Sequence, residues 1–104
     1  MEMTTTEIAQ FNSADGISDE EFIAIVDRLE ADFHMKQNGY LDTELLKGRE
    51  RNQWIMVQHW RSDEDAKNSS RNMMSSSETE EFRRSIDPKT VKLSYNRRIR
   101  SWVI

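Results

Sequence analysis

Gln53-Trp54-Ile55-Met56-Val57-Gln58-His59-Trp60 is the stretch on which the reading of this chain turns. It is rich in aromatic and β-branched side chains. The polar loop Gly48-Arg49-Glu50-Arg51-Asn52 precedes it and Ser62-Asp63-Glu64-Asp65 follows it. Such a bounded run reads as a β-strand. Side chains alternate across a strand, so Trp54, Met56, Gln58 and Trp60 share one face, and Ile55, Val57 and His59 share the other. Both faces are largely apolar, which predicts a strand covered on both sides. Helices of the same chain can cover one side; the other needs a different cover.

Working outward, Tyr40 to Lys47 reads as a second strand, joined to the first as a hairpin across the polar loop. Upstream, Ser18 and Glu21 stand at capping-box spacing, and Ile17 and Phe22 at the positions of a hydrophobic staple. Phe22, Ile25, Val26, Leu29 and Phe33 then recur at helical spacing. Asn38-Gly39 is a stop signal, so a helix is predicted from Asp19 to Asn38, with Tyr40 folding back onto Met35. Thr5 to Asn12 before it reads as a strand, closed by the turn Ser13-Ala14-Asp15-Gly16.

Downstream, Ser62 opens a second helix whose inward stripe is Ala66, Ser69, Ser70, Met73 and Met74. Ser77-Glu78-Thr79-Glu80 starts a short third helix that turns Phe82 inward. Asp87-Pro88 breaks it. Thr90 to Asn96 alternates Val91, Leu93 and Tyr95 with polar residues and reads as a half-buried strand. The apolar end Trp102-Val103-Ile104 is expected to pack on the body or on a partner. The order strand, helix, strand, strand, helix, strand defines an α+β chain. It is the ferredoxin-like βαββαβ arrangement, an antiparallel sheet with its helices on one face. Residues 1–104 read as a single domain.

Composition narrows the function. Hydrophobic residues make up 36% of the 104 and charged residues 33%, and three Trp with four Phe suffice for a small core. A net charge of −4 argues against a nucleic-acid surface, and Arg97, Arg98 and Arg100 read as a solvated strand or tail. Absence of Cys excludes disulfides, thiolate zinc sites and a Cys nucleophile. No run approaches the roughly 18 apolar residues of a membrane helix, and the opening Met-Glu-Met-Thr-Thr-Thr lacks the pattern of a signal peptide. A cytoplasmic chain is therefore expected, with no membrane and no nucleic acid among its partners. His34 and His59 have no second His at metal-ligand spacing, so they read as surface or interface residues. The acidic groups lie at helix starts, where capping and the helix dipole account for them without a metal.

Two segments carry a resemblance: Lys36-Gln37-Asn38-Gly39-Tyr40-Leu41, and the run from Trp54 through Trp60-Arg61-Ser62-Asp63-Glu64-Asp65-Ala66. In these the chain resembles the antibiotic-biosynthesis monooxygenase family of the dimeric α/β-barrel superfamily. The resemblance implies a homodimer in which two sheets pack face to face, so that Ile55, Val57 and His59 meet the partner. It also implies a ligand cleft on the helix side of the sheet. Cofactor-independent members oxidise aromatic phenols to quinones and line the pocket with a Trp at this strand end; Trp60 is the matching residue and the expected catalytic one. The pattern is otherwise broken. Those members carry an Asn four residues before that Trp, where this chain has Met56, and a Tyr six residues after it, where it has Ala66. Neither replacement can hold or move a proton. The Trp and His of the haem-degrading members would fall on Ser69 and Thr79, so haem held in that way is not expected, nor is any other cofactor.

The small residues Ala66, Ser69 and Ser70, facing Trp54 and Trp60, leave room for a cavity between helix and sheet, with Met73 and Met74 as an adaptable lining. Met56, Gln58, Phe82 and, more weakly, Asn12 complete the expected substrate-binding set. The resulting expectation is a cofactor-independent monooxygenase for a small aromatic or polycyclic substrate. The alternative is a non-catalytic small-ligand-binding or stress-response module built on the same dimer. A third reading, a lyase or isomerase, requires His34 or Asn12 to point into the cleft.

Overall fold

A computed structural model describes residues 4–104. Met1, Glu2 and Met3, which open the segment without a signal-peptide pattern, lie outside the described residues. The elements are β1 (Thr5–Ser13), α1 (Asp19–Asp32), a 3₁₀ turn (His34–Lys36), β2 (Tyr40–Lys47), β3 (Gln53–Trp60), α2 (Asp63–Met73), a second 3₁₀ turn (Ser77–Thr79), α3 (Glu80–Arg84) and β4 (Ile86–Arg97). The strands form one antiparallel sheet in the order β2-β3-β1-β4. This is the ferredoxin-like βαββαβ fold.

α1 begins where its cap dictates. The Ser18 hydroxyl accepts the Glu21 backbone N–H at 3.1 Å and donates to the Glu21 carboxylate at 3.1 Å. That satisfies one of the amides left free at a helix start. The helix ends six residues earlier than the sequence predicts. Phe33 leaves the helical conformation (φ −126°) and the chain tightens into the 3₁₀ turn. Both Phe33 and His34 are thereby buried. Tyr40 accordingly meets His34, its ring parallel at 6.4 Å between centroids. Gly39 then turns the chain into β2 at φ +78°, and a Cβ there would collide with the Asp65 side chain.

The helices lie on one face of the sheet. On that side, Phe11, Phe22, Val26, Leu29, Phe33, Trp54, Met56 and Phe82 form the core. Phe22 is its centre, with no exposed surface. It lies 4.9 Å from Trp54 and 5.9 Å from Phe11 between ring centroids. α2 contributes little apolar bulk: Ala66 and Ser69 are buried, whereas Met74 is exposed. β4 is longer than predicted and contains Pro88, which an edge strand tolerates because its outer N–H groups are unpaired. A register shift between Gln10 and Asn12 accommodates it.

The other face of the sheet carries Ile55 and Val57, half-buried, beside Ile8 and Leu46, which are 38% and 42% exposed. Trp102, Val103 and Ile104 do not pack on the body, which removes the first of the two expected covers; all three are exposed. Among the described residues no helix is long and apolar enough to cross a membrane.

Replacing Phe22 by Ala removes the ring that joins α1 to the sheet. The variant is expected to lose about 3–5 kcal/mol of stability in urea denaturation; a loss below about 1 kcal/mol would show that the core closes without it.

Candidate active site

The predicted space between helix and sheet exists. It is a cavity of about 470 Å³. Its floor is laid by the helix-facing side chains of three strands: Glu7, Ala9 and Phe11 from β1, Met56 and Gln58 from β3, and Val91 and Leu93 from β4. Ser69, Ser70 and Met73 of α2, Met74 just after it, and Phe82 and Arg83 of α3 form the roof, and His34 stands at one end. The small α2 side chains explain why the space stays open: a Ser cannot fill the room that a Leu at the same position would. Arg83 is held by neutral acceptors. Its guanidinium donates to the Thr79 hydroxyl and to the Ser76 carbonyl, both at 3.1 Å.

The polar groups collect at the His34 end. Glu7 is buried, with 8% of its surface exposed. Burial pushes its carboxyl up from 4.5 to about 7, against the opposing influence of His34 and of the Trp60 indole N–H, while the nearby Glu30 reinforces the rise. His34, also buried, meets the Glu30 carboxylate through Nδ1 in a short contact. Gln58 Nε2 donates to the other Glu30 oxygen at 3.4 Å and to the Thr43 hydroxyl at 3.0 Å. The Tyr40 and Thr43 hydroxyls are 2.8 Å apart, and burial raises the Tyr40 phenol above its ordinary range. Across the sheet from Glu7, the Tyr95 hydroxyl lies 2.6 Å from Ser70 Oγ.

Of the residues expected to act on or bind substrate, Met56, Gln58, Ser70, Met73, Met74 and Phe82 come together around this cavity. Four others lie elsewhere. Trp60 is fully buried behind the polar cluster, edge-on to Tyr40 at 5.6 Å and to His34 at 6.2 Å. Its Nε1–H has no partner at good hydrogen-bond geometry, although the Glu7 carboxylate is near enough to feel it. Trp54 is packed on Phe22, its Nε1 donating to Ser13 Oγ at 3.3 Å. It borders a separate groove of about 610 Å³ between α1 and β2 instead. Ala66 is buried on the inward side of α2 and does not reach the cavity wall. Asn12 sits on the opposite face of the sheet, because its strand partners are Gln53 and Asp87 and side chains alternate.

Sequence reasoning missed Glu7, Glu30 and the inward turn of His34. The signals were present but weak: Glu7 alternates in phase with Thr5 and Phe11, and Glu30 precedes His34 by four residues. Among the described residues no cluster of three or more His, Asp or Glu is arranged to hold a metal ion.

A family model described as antibiotic biosynthesis monooxygenase matches residues 6–85. Among solved structures, a variant of SnoaB, a cofactor-independent oxygenase from Streptomyces nogalater, is similar with a TM-score of 0.72 at 16% identity. That match covers 94% of this chain and 95% of the other. Another SnoaB structure matches with a TM-score of 0.64 at 14% identity, over 98% and 97% of the two chains. A conserved protein from Methanosarcina mazei matches at 0.67 and 15%, over 91% and 92%. At these identities the likeness is one of fold. No curated protein matches the sequence.

The Glu7 carboxyl makes stability depend on pH with a definite sign. Its value is raised in the folded chain, so its contribution is complete below about 4.5 and is lost as pH rises through about 7. Glu7→Gln removes that loss. The variant is expected to melt roughly 5–10 °C above wild type at pH 8 and to converge with it near pH 4.5; equal melting temperatures at pH 8 would show that the carboxyl is not strained by burial.

Proposed function

The chain belongs to the antibiotic biosynthesis monooxygenase family, and from that premise we propose that it is a cofactor-independent monooxygenase for a small aromatic or polycyclic substrate held in the cavity beneath α2 and α3. One observation carries the reading. The cavity is walled mainly by Ala9, Phe11, Met56, Met73, Phe82 and Leu93, with its acid and histidine confined to one end. Apolar walls suit a planar ring system and dissolved oxygen, and the polar end suits the phenolic or enolic group where chemistry begins. In the proposed reaction the substrate loses a proton and its own delocalised carbanion reduces oxygen. Removal of water from the pocket protects that carbanion from reprotonation. SnoaB, which shares the fold, is a cofactor-independent oxygenase, and that is consistent with this class of chemistry.

Trp60, matched to the pocket Trp of the family, has a supporting role in this proposal. It lies behind the wall and acts through His34 and Glu7. A second reading is an isomerase or lyase that moves a proton without oxygen. It is favoured by His34, which does turn into the cleft.

The proposal includes a homodimer through the open face of the sheet. Ile55, Val57 and the neighbouring Ile8 and Leu46 form an apolar centre there. His59 stands at its border, 2.6 Å from Asp42. A second copy presenting the same face would remove this surface from water.

Two outcomes are expected. Oxygen uptake measured with a panel of hydroquinones and anthrones should find a substrate, and Leu93→Trp, which narrows the cavity from its exposed edge strand, should lower kcat/KM at least about tenfold. A ligand bound without chemical change, seen by native mass spectrometry, would favour a binding module instead. Val57→Glu should convert a dimer to a monomer in sedimentation analysis, since it buries an unpaired charge at the interface; a wild type that is already monomeric at micromolar concentration would defeat the dimer.

A further inference from the structure

The polar end of the cavity contains more chemistry than holding a ring system requires. Glu7 projects from β1, one of the two inner strands, into a floor that is apolar apart from it and its neighbour Gln58. Among the described residues neither of its oxygens has a partner at good hydrogen-bond geometry. His34 lines the same cavity, and its Nδ1 is occupied by the Glu30 carboxylate. Glu30 is in turn held by Gln58. A carboxylate against Nδ1 keeps a proton on that nitrogen and orients the ring, and a protonated ring so held is the positive charge that favours an ionised Glu7. This is the arrangement of a proton acceptor backed by an oriented imidazole.

We propose that Glu7 is the base of this site, taking the proton from an acidic C–H or O–H of the substrate, and that His34, oriented by Glu30, is the positioning residue that stabilises the Glu7 carboxylate. The assignment rests on the oxygenase reading for its second half but not for its first, because proton removal precedes any reaction with oxygen. For a methylene flanked by aromatic rings the sequence balances as follows. Glu7 takes one C–H proton, and the electron pair left on carbon reduces oxygen to a carbon-bound peroxide, which recovers that proton from Glu7. The carboxylate then takes the second C–H proton as the O–O bond breaks, and the departing hydroxide takes it back as water. One carbonyl and one water form from the methylene and one oxygen molecule. Glu7 ends as it began.

The groups that face Glu7 agree with this role. On β3 they are Gln58, its cross-strand neighbour, and the Trp60 indole N–H. From α1 and the turn after it come Glu30 and His34. On β4, Tyr95 is the opposite neighbour, joined to Ser70 of α2 and lying 5.7 Å beneath the Lys67 ammonium. The opposing influences leave the carboxyl near 7, where a base is both populated and strong enough to work.

Proton exchange tests the base apart from oxygen. An anthrone is incubated with the protein in deuterium oxide under argon, and loss of its methylene signal is followed by NMR. Wild type is expected to accelerate exchange with an inflection near 7. Glu7→Gln should lose about 10²–10⁴-fold while still binding the anthrone, and His34→Asn should keep the rate at high pH but move the inflection upward. A ¹³C titration of the Glu7 carboxyl in wild type needs no substrate and should show the same raised value. Full exchange by Glu7→Gln, loss of exchange at every pH in His34→Asn, no exchange by wild type, or an ordinary carboxylate titration would each overturn the proposal. Exchange without oxygen uptake in air would remove the oxygenase reading and leave the base. Oxygen uptake undiminished in Glu7→Gln would do the reverse.

Discussion

The antiparallel register of β1 against β3 is the constraint on which the rest of the structure depends. It sets Phe11 opposite Trp54, Ala9 opposite Met56, Glu7 opposite Gln58 and Thr5 opposite Trp60. Because the side-chain period of a strand is two, a slip of one residue would send this whole set to the other face. It would bring Ile8 and Gln10 under the helices in place of Glu7 and Phe11. The core, the cavity floor and the buried acid are thus one decision, made by the pairing of two strands.

The cavity follows from what α2 lacks. Against this sheet α1 brings Phe22, Val26 and Leu29 and fills its half of the helix layer. α2 brings Ala66 and Ser69 and leaves its half open. The space is bounded rather than collapsed because the strands beneath are fixed in the ladder and α2 is held by its own cap. The Ser62 hydroxyl accepts the Asp65 backbone N–H at 3.1 Å. Carboxyls seldom sit in such a place without a partner, since burial disfavours their charged form. Here the cost is only partly offset by His34 and the Trp60 N–H, and the balance keeps Glu7 able to gain or lose a proton near neutrality.

Trp60 illustrates how family likeness and local structure divide the labour. Likeness to the family pointed to this indole as the group lining a pocket. The structure places it one layer deeper, edge-on to His34 and Tyr40 and aimed toward Glu7. With Met56 and Ala66 at the positions where a proton carrier would be sought, the acid and the histidine that line the cavity come instead from β1 and from the turn after α1.

The sequence by itself determined the element order and the faces. The two-sided apolar pattern of Gln53 to Trp60 and the Ser18 and Ser62 caps are local signals, and strand alternation and helical periodicity are short-range rules that a linear chain displays directly. It also pointed to a space beneath α2, since small residues on an inward stripe leave volume to be filled. Only the tertiary structure decided what stands at the polar end of that space. Helix one had to end early for His34 to turn inward, and that depends on Phe33 finding its place in the core. Asn12 had to fall on the far face, which depends on pairing rather than on nearness to the strand end. Glu7 became the group of interest because three separate segments enclose it, and desolvation is a property of surroundings that no single stretch of sequence contains.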